Sequence, residues 1–376
     1  MYLKPTQRRT WAEISLSAVE RNLLSIRNHV GENTKICCVI KANAYGHGAV
    51  ELAKWYEKNR VDYFAVSNIE EALQLTNEGI TKPILILGYT PPNCAEILSD
   101  KKITQCVYSK EYAEQLSSEV RSKGKNVTIH IKIDTGMRRI GFGCDSVGIQ
   151  EAVDSCKMPG LVPEGIFTHF SMADEGAYGF EYTHRQYEMF IKAVNHIEEN
   201  GIHFQIRHCA NSATICDYPE MSLDMVRAGI ILYGLNPSEK IKEKLQIEPV
   251  LQLKTVISYI KELEAGEKVS YGGEYVAKRK MKVATLPIGY ADGVFRSNYR
   301  NGLNVIINGI SVPVIGRICM DQCMVDISSC SNLSMGDEVL VYGKETNTVS
   351  KVADRNQTIN YELVCAISER VPRVYL

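Results

Sequence analysis

Ile36-Cys37-Cys38-Val39-Ile40-Lys41-Ala42-Asn43-Ala44-Tyr45-Gly46-His47-Gly48 begins with five apolar residues of strand length and composition and puts a lysine where the strand should end. Small residues and glycines come next, allowing tight turning and close backbone approach. Residue type alone would make Lys41 a solvated surface cation. Apolar chain before it and a compact exit after it argue for partial burial, which disfavours the ammonium form and makes a nucleophilic amine available.

Further along the chain, strand-like runs recur at Val61–Val66, Pro83–Leu87, Thr104–Tyr108, Val127–Ile133, Gly165–His169, Gln205–Cys209 and Met225–Leu232. Helical patterns separate several of them, including about 47–58, about 69–79, Glu111–Val120 and Thr183–Glu199, and an amphipathic helix over 17–30 precedes the first strand. Eight apolar strands spaced by helix-length segments predict an α/β fold, a (β/α)8 TIM-type barrel over residues 12–245. A barrel of this kind carries its chemistry just after its strands. Lys41 follows strand one, Asp134-Thr135-Gly136-Met137-Arg138-Arg139 follows strand five, His169 closes strand six, Asn211-Ser212 follows strand seven, and Gly229-Ile230 falls at strand eight. A doubly wound sheet would need a GxGxxG fingerprint after its first strand, and the chain has none.

After about residue 245 the texture changes to short β-branched runs broken by turn residues: Leu251–Ile257, Lys280–Leu286, Leu303–Ile307, Ser311–Ile315, Met324–Ile327 and Glu338–Tyr342. Asn308-Gly309 between two of them is a hairpin signal. These predict a C-terminal mainly-β domain over 246–376, with residues 1–11 packing on it.

At 376 residues the chain exceeds one ordinary core, and 45% hydrophobic with 23% charged residues is a globular composition. A formal net charge of −1 supplies no field to gather nucleic acid or an anionic membrane. The 12 cysteines are scattered without a CxxC pair and several lie in apolar runs, so reduced, buried thiols in a reducing compartment are expected and no metal site is. Met1-Tyr2-Leu3-Lys4-Pro5 has no signal-peptide core, and no run reaches the roughly 18 apolar residues of a membrane span. A cytoplasmic protein is expected, or the cytoplasmic part of a membrane protein if more chain precedes Met1.

Val39 to Gly48 resembles the pyridoxal-phosphate lysine motif of the alanine racemase family. The resemblance implies that Lys41 carries the cofactor covalently and that Tyr45 binds its phosphate. It extends, in order, to at least six further segments. Val226-Arg227-Ala228-Gly229-Ile230 resembles the segment whose arginine faces the pyridine nitrogen. Lys132-Ile133-Asp134-Thr135-Gly136-Met137-Arg138-Arg139 resembles the one whose arginine, here Arg139, supports the phenolic oxygen and the substrate carboxylate. In some relatives the lysine matching Lys132 is carbamylated.

The same resemblance makes Tyr45, Asn211, Ser212, the amides of Gly229 and Ile230, and Tyr361 of Ile359-Asn360-Tyr361-Glu362 cofactor-binding groups; hydroxyls and N–H groups at loop and helix starts suit a phosphate. Thr168-His169-Phe170 supplies a hydrogen-bonding relay beside Arg227. Val269-Ser270-Tyr271-Gly272 matches the tyrosine motif that reaches the site from a second subunit. Gly316-Arg317-Ile318-Cys319-Met320-Asp321-Gln322 and Ile288-Gly289-Tyr290-Ala291-Asp292-Gly293 match segments placing Met320, Asp321 and Tyr290 at the substrate and the entrance. An arginine opposite the ring nitrogen keeps it unprotonated and weakens the electron sink, which suits simple proton removal and return. One base cannot readily reach both faces of a planar carbanion, so Lys41 and the partner subunit's Tyr271 make a two-base pair. The implied protein is a homodimeric racemase with shared active sites that interconverts L- and D-alanine and supplies D-amino acid for peptidoglycan. A serine racemase of the same architecture is the alternative, because a pocket for a methyl rejects an added hydroxyl poorly.

Overall fold

The computed structural model describes residues 8–59, 61–344 and 347–376. The chain divides into two compact units: one holds residues 21–44 and 48–247, the other the described residues up to 20, residues 45–47 and residues 248–376. The first seven residues of the expected 1–11 segment lie outside the described residues.

The first unit is an eight-stranded parallel barrel. Its strands are Lys35–Val39, Tyr63–Val66, Ile84–Ile86, Ile103–Val107, Val127–Lys132, Leu161–Phe167, Ile206–His208 and Met225–Ala228, numbered one to eight here. Strand one pairs with both two and eight. Between seven and eight, Asp224 N–H donates to Arg207 O at 3.1 Å and Arg227 N–H to Ala210 O at 2.9 Å, so the ring is nearly closed. Strands one to four are buried almost throughout, which is why they read as continuous apolar runs. Asn68, Ser109, Asp145 and Asn211 each cap the N-terminus of the helix after them, accepting from a backbone N–H three residues on.

The expected run Met225–Leu232 divides. It is strand only to Ala228, and Ile230–Tyr233 forms a 3-10 turn whose four side chains are all buried. Periodicity cannot separate a buried turn from a buried strand. Likewise strand six ends at Phe167, two residues before His169.

The second unit is built on a nine-stranded sheet. Thr10–Ile14 enters it, antiparallel to Leu251–Val256 and parallel to Arg373–Tyr375, which carries the N-terminal segment into this unit as far as Glu20. Asn308 (φ 50°) and Gly309 (φ 77°) join Asn304–Ile307 to Ile310–Ile315 in the two-residue hairpin that the sequence signals. Leu263, Val269, Met281, Val283, Ile315 and Met324 pack in one buried cluster, each worth about 1.5–3 kcal/mol relative to exposure. Two helices, Val349–Arg355 and Asn360–Cys365, close the unit.

Candidate active site

Lys41 stands at the end of strand one, partly buried, as its sequence context requires. The chain then enters a left-handed turn: Ala42, Asn43, Ala44 and Tyr45 have φ between 51° and 54°. Four consecutive residues with a Cβ in that region cost about 1–2 kcal/mol each, and strain of this kind persists only where the surroundings enforce it. Glu71 accepts the Ala42 N–H at 2.7 Å and, with its other oxygen, the Ser67 N–H at 2.7 Å. Asn43 Oδ1 accepts the Ala49 N–H at 2.8 Å and Asn43 O the Gly48 N–H at 2.9 Å. The turn thus holds the backbone immediately after Lys41.

Tyr45, Gly46 and His47 belong to the second unit. Gly46 O and His47 O accept from Arg373 Nε at 2.8 Å and Tyr375 Oη at 3.2 Å. A Cβ on Gly46 would collide with the Val364 carbonyl oxygen, so glycine is required there. The Tyr45 ring lies 5.9 Å from that of Tyr361, bringing the two expected phosphate-binding tyrosines together.

Arg227 rises from strand eight into the barrel interior, 3% exposed. Nη1 donates to His208 O and to His208 Nδ1, both at 3.1 Å; Nη2 donates to Thr168 O at 2.8 Å, Cys209 O at 3.1 Å and His169 Nδ1 at 3.3 Å. Its guanidinium carbon lies 5.4 Å from the centre of the Phe167 ring, and the Lys132 Nζ 4.9 Å from the same centre. Burial pulls the Arg227 pKa down to about 10, so it stays cationic at neutral pH. Burial, followed by the charge of Arg227, brings Lys132 down to about 7. Burial and then the charges of Arg227, Lys132, Arg139 and Lys41 hold His169 well below the usual imidazole value. That histidine is neutral, and several cations act on one point.

The loop after strand five is closed at its base, with Asp134 N–H donating to Phe142 O and Phe142 N–H to Lys132 O, both at 2.9 Å. Asp134 Oδ1 turns the chain by accepting from Gly136 and Arg138 N–H at 2.8 and 3.1 Å. Arg139 is exposed on that loop. After strand seven, Asn211 caps its helix, and Ser212 Oγ accepts the Gly229 N–H at 2.9 Å. Ser212 and Gly229 therefore meet as expected, and the serine hydroxyl keeps its own hydrogen to donate.

In the second unit Tyr271, Tyr290 and Met320 are 67, 42 and 53% exposed. Their loops are tied together: Ser270 Oγ donates to Arg317 O at 2.5 Å, Tyr290 N–H to Cys319 O at 3.1 Å and Ala291 N–H to Met320 O at 3.0 Å. A Cβ on Gly289 would meet the carbonyl oxygens of Cys319 and Met320, so this knot depends on that glycine. Asp321 accepts from Arg370 at 2.7 Å.

Residues 14–237 match the family model for the alanine racemase N-terminal domain, and residues 250–375 the one for its C-terminal domain. The chain belongs to the alanine racemase family. It is 47% identical over 372 residues to the alanine racemase of Clostridium perfringens (strain SM101 / Type A), covering 98% of this chain and 95% of that one. The solved alanine racemase of Clostridium difficile 630 superposes with a TM-score of 0.94 at 45% identity, covering 98 and 96% of the two chains. The same enzyme in complex with cycloserine gives 0.92 at 44%, with the same coverage. Alanine racemases are pyridoxal-phosphate-dependent isomerases, and this chain is an amino-acid racemase of that kind.

The residues at the barrel mouth fit an anionic cofactor of this type. Lys41, Arg139 and Arg227 all act on His169, Ser212 has a hydroxyl hydrogen to offer, and the buried Nζ of Lys132 has no hydrogen-bond partner among the described residues. Among those residues no group of three or more potential metal ligands occurs. Two members of the site escaped the sequence reading. His208 was hidden inside a short strand run, where only a known barrel register tells an inward imidazole from a structural one. Glu71 carries the capping pattern Asn68-x-x-Glu71, but reaches across to the turn after Lys41 instead.

Proposed function

We propose that this racemase interconverts L- and D-alanine at a site completed by two chains of a homodimer, Lys41 and the partner subunit's Tyr271 serving opposite faces of the substrate α-carbon. When bound, pyridoxal phosphate supplies the electron sink that makes the α-proton removable. Lys41 would hold the cofactor, and Tyr45, Tyr361, Ser212 and the Gly229 and Ile230 amides would take its phosphate, with Asn211 orienting the Ser212 turn. Arg227, which cannot readily release its proton, would serve the ring nitrogen and keep it unprotonated, favouring proton return over side reactions.

The Lys41 amine takes or gives the proton on one face, and the Tyr271 phenol does so on the other. His169, neutral with its Nδ1 engaged by Arg227, has Nε2–H to donate, which suits a relay that favours the ionised phenol. Arg139 and Met320 receive the substrate carboxylate, while Tyr290 and Asp321 narrow the entrance. The exposed cluster of Tyr271, Tyr290 and Met320 supports completion by a second copy, since large side chains on a pinned surface are what an interface uses. D-Alanine would serve peptidoglycan in the cytoplasm; no helix of the described residues is long and apolar enough to cross a membrane.

One observation carries the reading: buried, cationic Arg227 bonded to neutral His169, in a chain nearly half identical to alanine racemases over almost its whole length. Exchange of the α-proton in heavy water, monitored with L-alanine and L-serine, tests it. Faster exchange of alanine is expected. Faster exchange of serine would replace it with a serine racemase, and bound cofactor with no exchange would leave a non-catalytic carrier.

A further inference from the structure

A line of polar side chains runs down the barrel interior from Arg227. His208 Nδ1 meets the guanidinium at 3.1 Å, His208 Nε2 meets His130 Nδ1 at 2.9 Å, and His130 Nε2 meets Glu164 Oε2 at 3.1 Å. Tyr63 Oη donates to the same carboxylate oxygen at 2.7 Å and takes the Thr104 hydroxyl at 2.8 Å. Both histidines are fully buried, the His208 ring stacked on Phe167 at 4.8 Å between centroids.

The ends of this line fix its direction. A guanidinium can only donate and a carboxylate can only accept. His208 Nδ1 must therefore be the unprotonated nitrogen, so its Nε2–H donates to His130 Nδ1, and His130 Nε2–H donates to Glu164. Each ring has one permitted tautomer, and all four ring nitrogens in the line are paired. Glu164 is kept ionised by its hydrogen bond from His130, which outweighs its burial.

The backbone is shaped for this placement. Strand register shifts between Ile129 and His130: Ile129 pairs with Pro163 and His130 with Gly165, leaving Glu164 as the extra residue of a bulge. Bulges beside functional sites re-aim a side chain. Gly165 is equally specific, because a Cβ there would lie 2.6–2.7 Å from three atoms of the His130 ring. Pro163-Glu164-Gly165 thus interrupts the ladder, brings a carboxylate to the imidazole and clears room for it.

We propose that Glu164 is a positioning residue: through fixed tautomers of His130 and His208 it presents a lone pair to Arg227 and holds that guanidinium in its working orientation. The inference deepens the reading of Arg227 as the group opposite the cofactor ring and rests on it, while the tautomers themselves do not. Without an acceptor at position 164, His130 can turn its protonated nitrogen toward His208. Two N–H groups then compete for one gap, or His208 takes its proton on Nδ1 and faces Arg227 donor to donor.

The test compares Glu164→Leu with Glu164→Gln in the cofactor-loaded enzyme. Glutamine keeps an acceptor for His130 and loses the charge; leucine loses both. Nitrogen NMR of isotope-labelled histidines should show both rings protonated only at Nε2 in the wild type and in Glu164→Gln. In Glu164→Leu that single pattern should be lost, and kcat should fall about tenfold, the scale on which outer partners of functional histidines act, with KM little changed. Glu164→Gln should restore most of kcat. Unchanged tautomers in Glu164→Leu, or a kcat loss in Glu164→Gln equal to that of leucine, would overturn the proposal. A wild type with the expected tautomers but no exchange of alanine would fault the functional reading alone.

Discussion

Nη2 of Arg227 donates to Nδ1 of His169 across 3.3 Å. Because a guanidinium only donates, that ring nitrogen is the unprotonated one, and the histidine offers Nε2–H in the other direction. Burial opposes a second proton on His169, and the charge of Arg227 opposes it further, which is why its pKa lies well below the ordinary value.

His169 should consequently stay neutral in an NMR titration through the range in which an unperturbed imidazole takes its proton. Arg227→Gln removes the second-largest cause of the depression, and His169 should then titrate at higher pH. A wild-type His169 that protonates near neutrality would contradict this electrostatic account.

Replacing Ala42 tests the left-handed turn. Its φ of 51° is a conformation glycine adopts freely and alanine does not. Ala42→Gly should raise the unfolding temperature, with a net gain of up to about 1 kcal/mol after the greater chain entropy of glycine is counted. Ala42→Val should lower it by about 2 kcal/mol, because branching at Cβ worsens the clash. The reverse order would mean that the turn is right-handed in solution.

Lys132 links stability to pH. Its pKa falls from the ordinary 10.5 to about 7 on folding. Between those values the unfolded chain binds more protons than the folded one, so stability rises with pH across that window, and the penalty is complete below about pH 7. Lys132→Met should unfold at a higher temperature than the wild type at about pH 6 to 7 in bicarbonate-free buffer, the gap closing toward about pH 10. A gap independent of pH would show that the amine is not buried as charge.

Much of the fold was legible because the barrel strands announce themselves. Strands such as Ile103–Val107 are buried on every residue, and the chemistry-bearing residues Lys41, His169, Ser212 and Arg227 follow or end their strands as the architecture demands. The left-handed turn was not legible. Ala42-Asn43-Ala44 has no glycine, and its conformation is imposed by Glu71 and Asn43 contacts rather than by local preference. Packing of residues 1–11 on the second domain was expected, but the strand Thr10–Ile14 was not legible, since its partners Leu251–Val256 and Arg373–Tyr375 lie more than two hundred residues away. The line from Arg227 to Glu164 depends on a bulge whose only sequence trace is Pro163-Glu164-Gly165, and register shifts leave no periodic signal.

The claim on which the mechanism rests is that each site draws on two chains, and mixed dimers test it most directly. Lys41→Ala and Tyr271→Ala chains, each inactive alone, would be unfolded together, refolded and assayed for racemisation of alanine. Random pairing makes half of the dimers hybrids, each with one intact and one doubly altered site, so activity should return to roughly a quarter of wild type. A mixture as inactive as its parents would contradict a shared site and return both groups to a single chain.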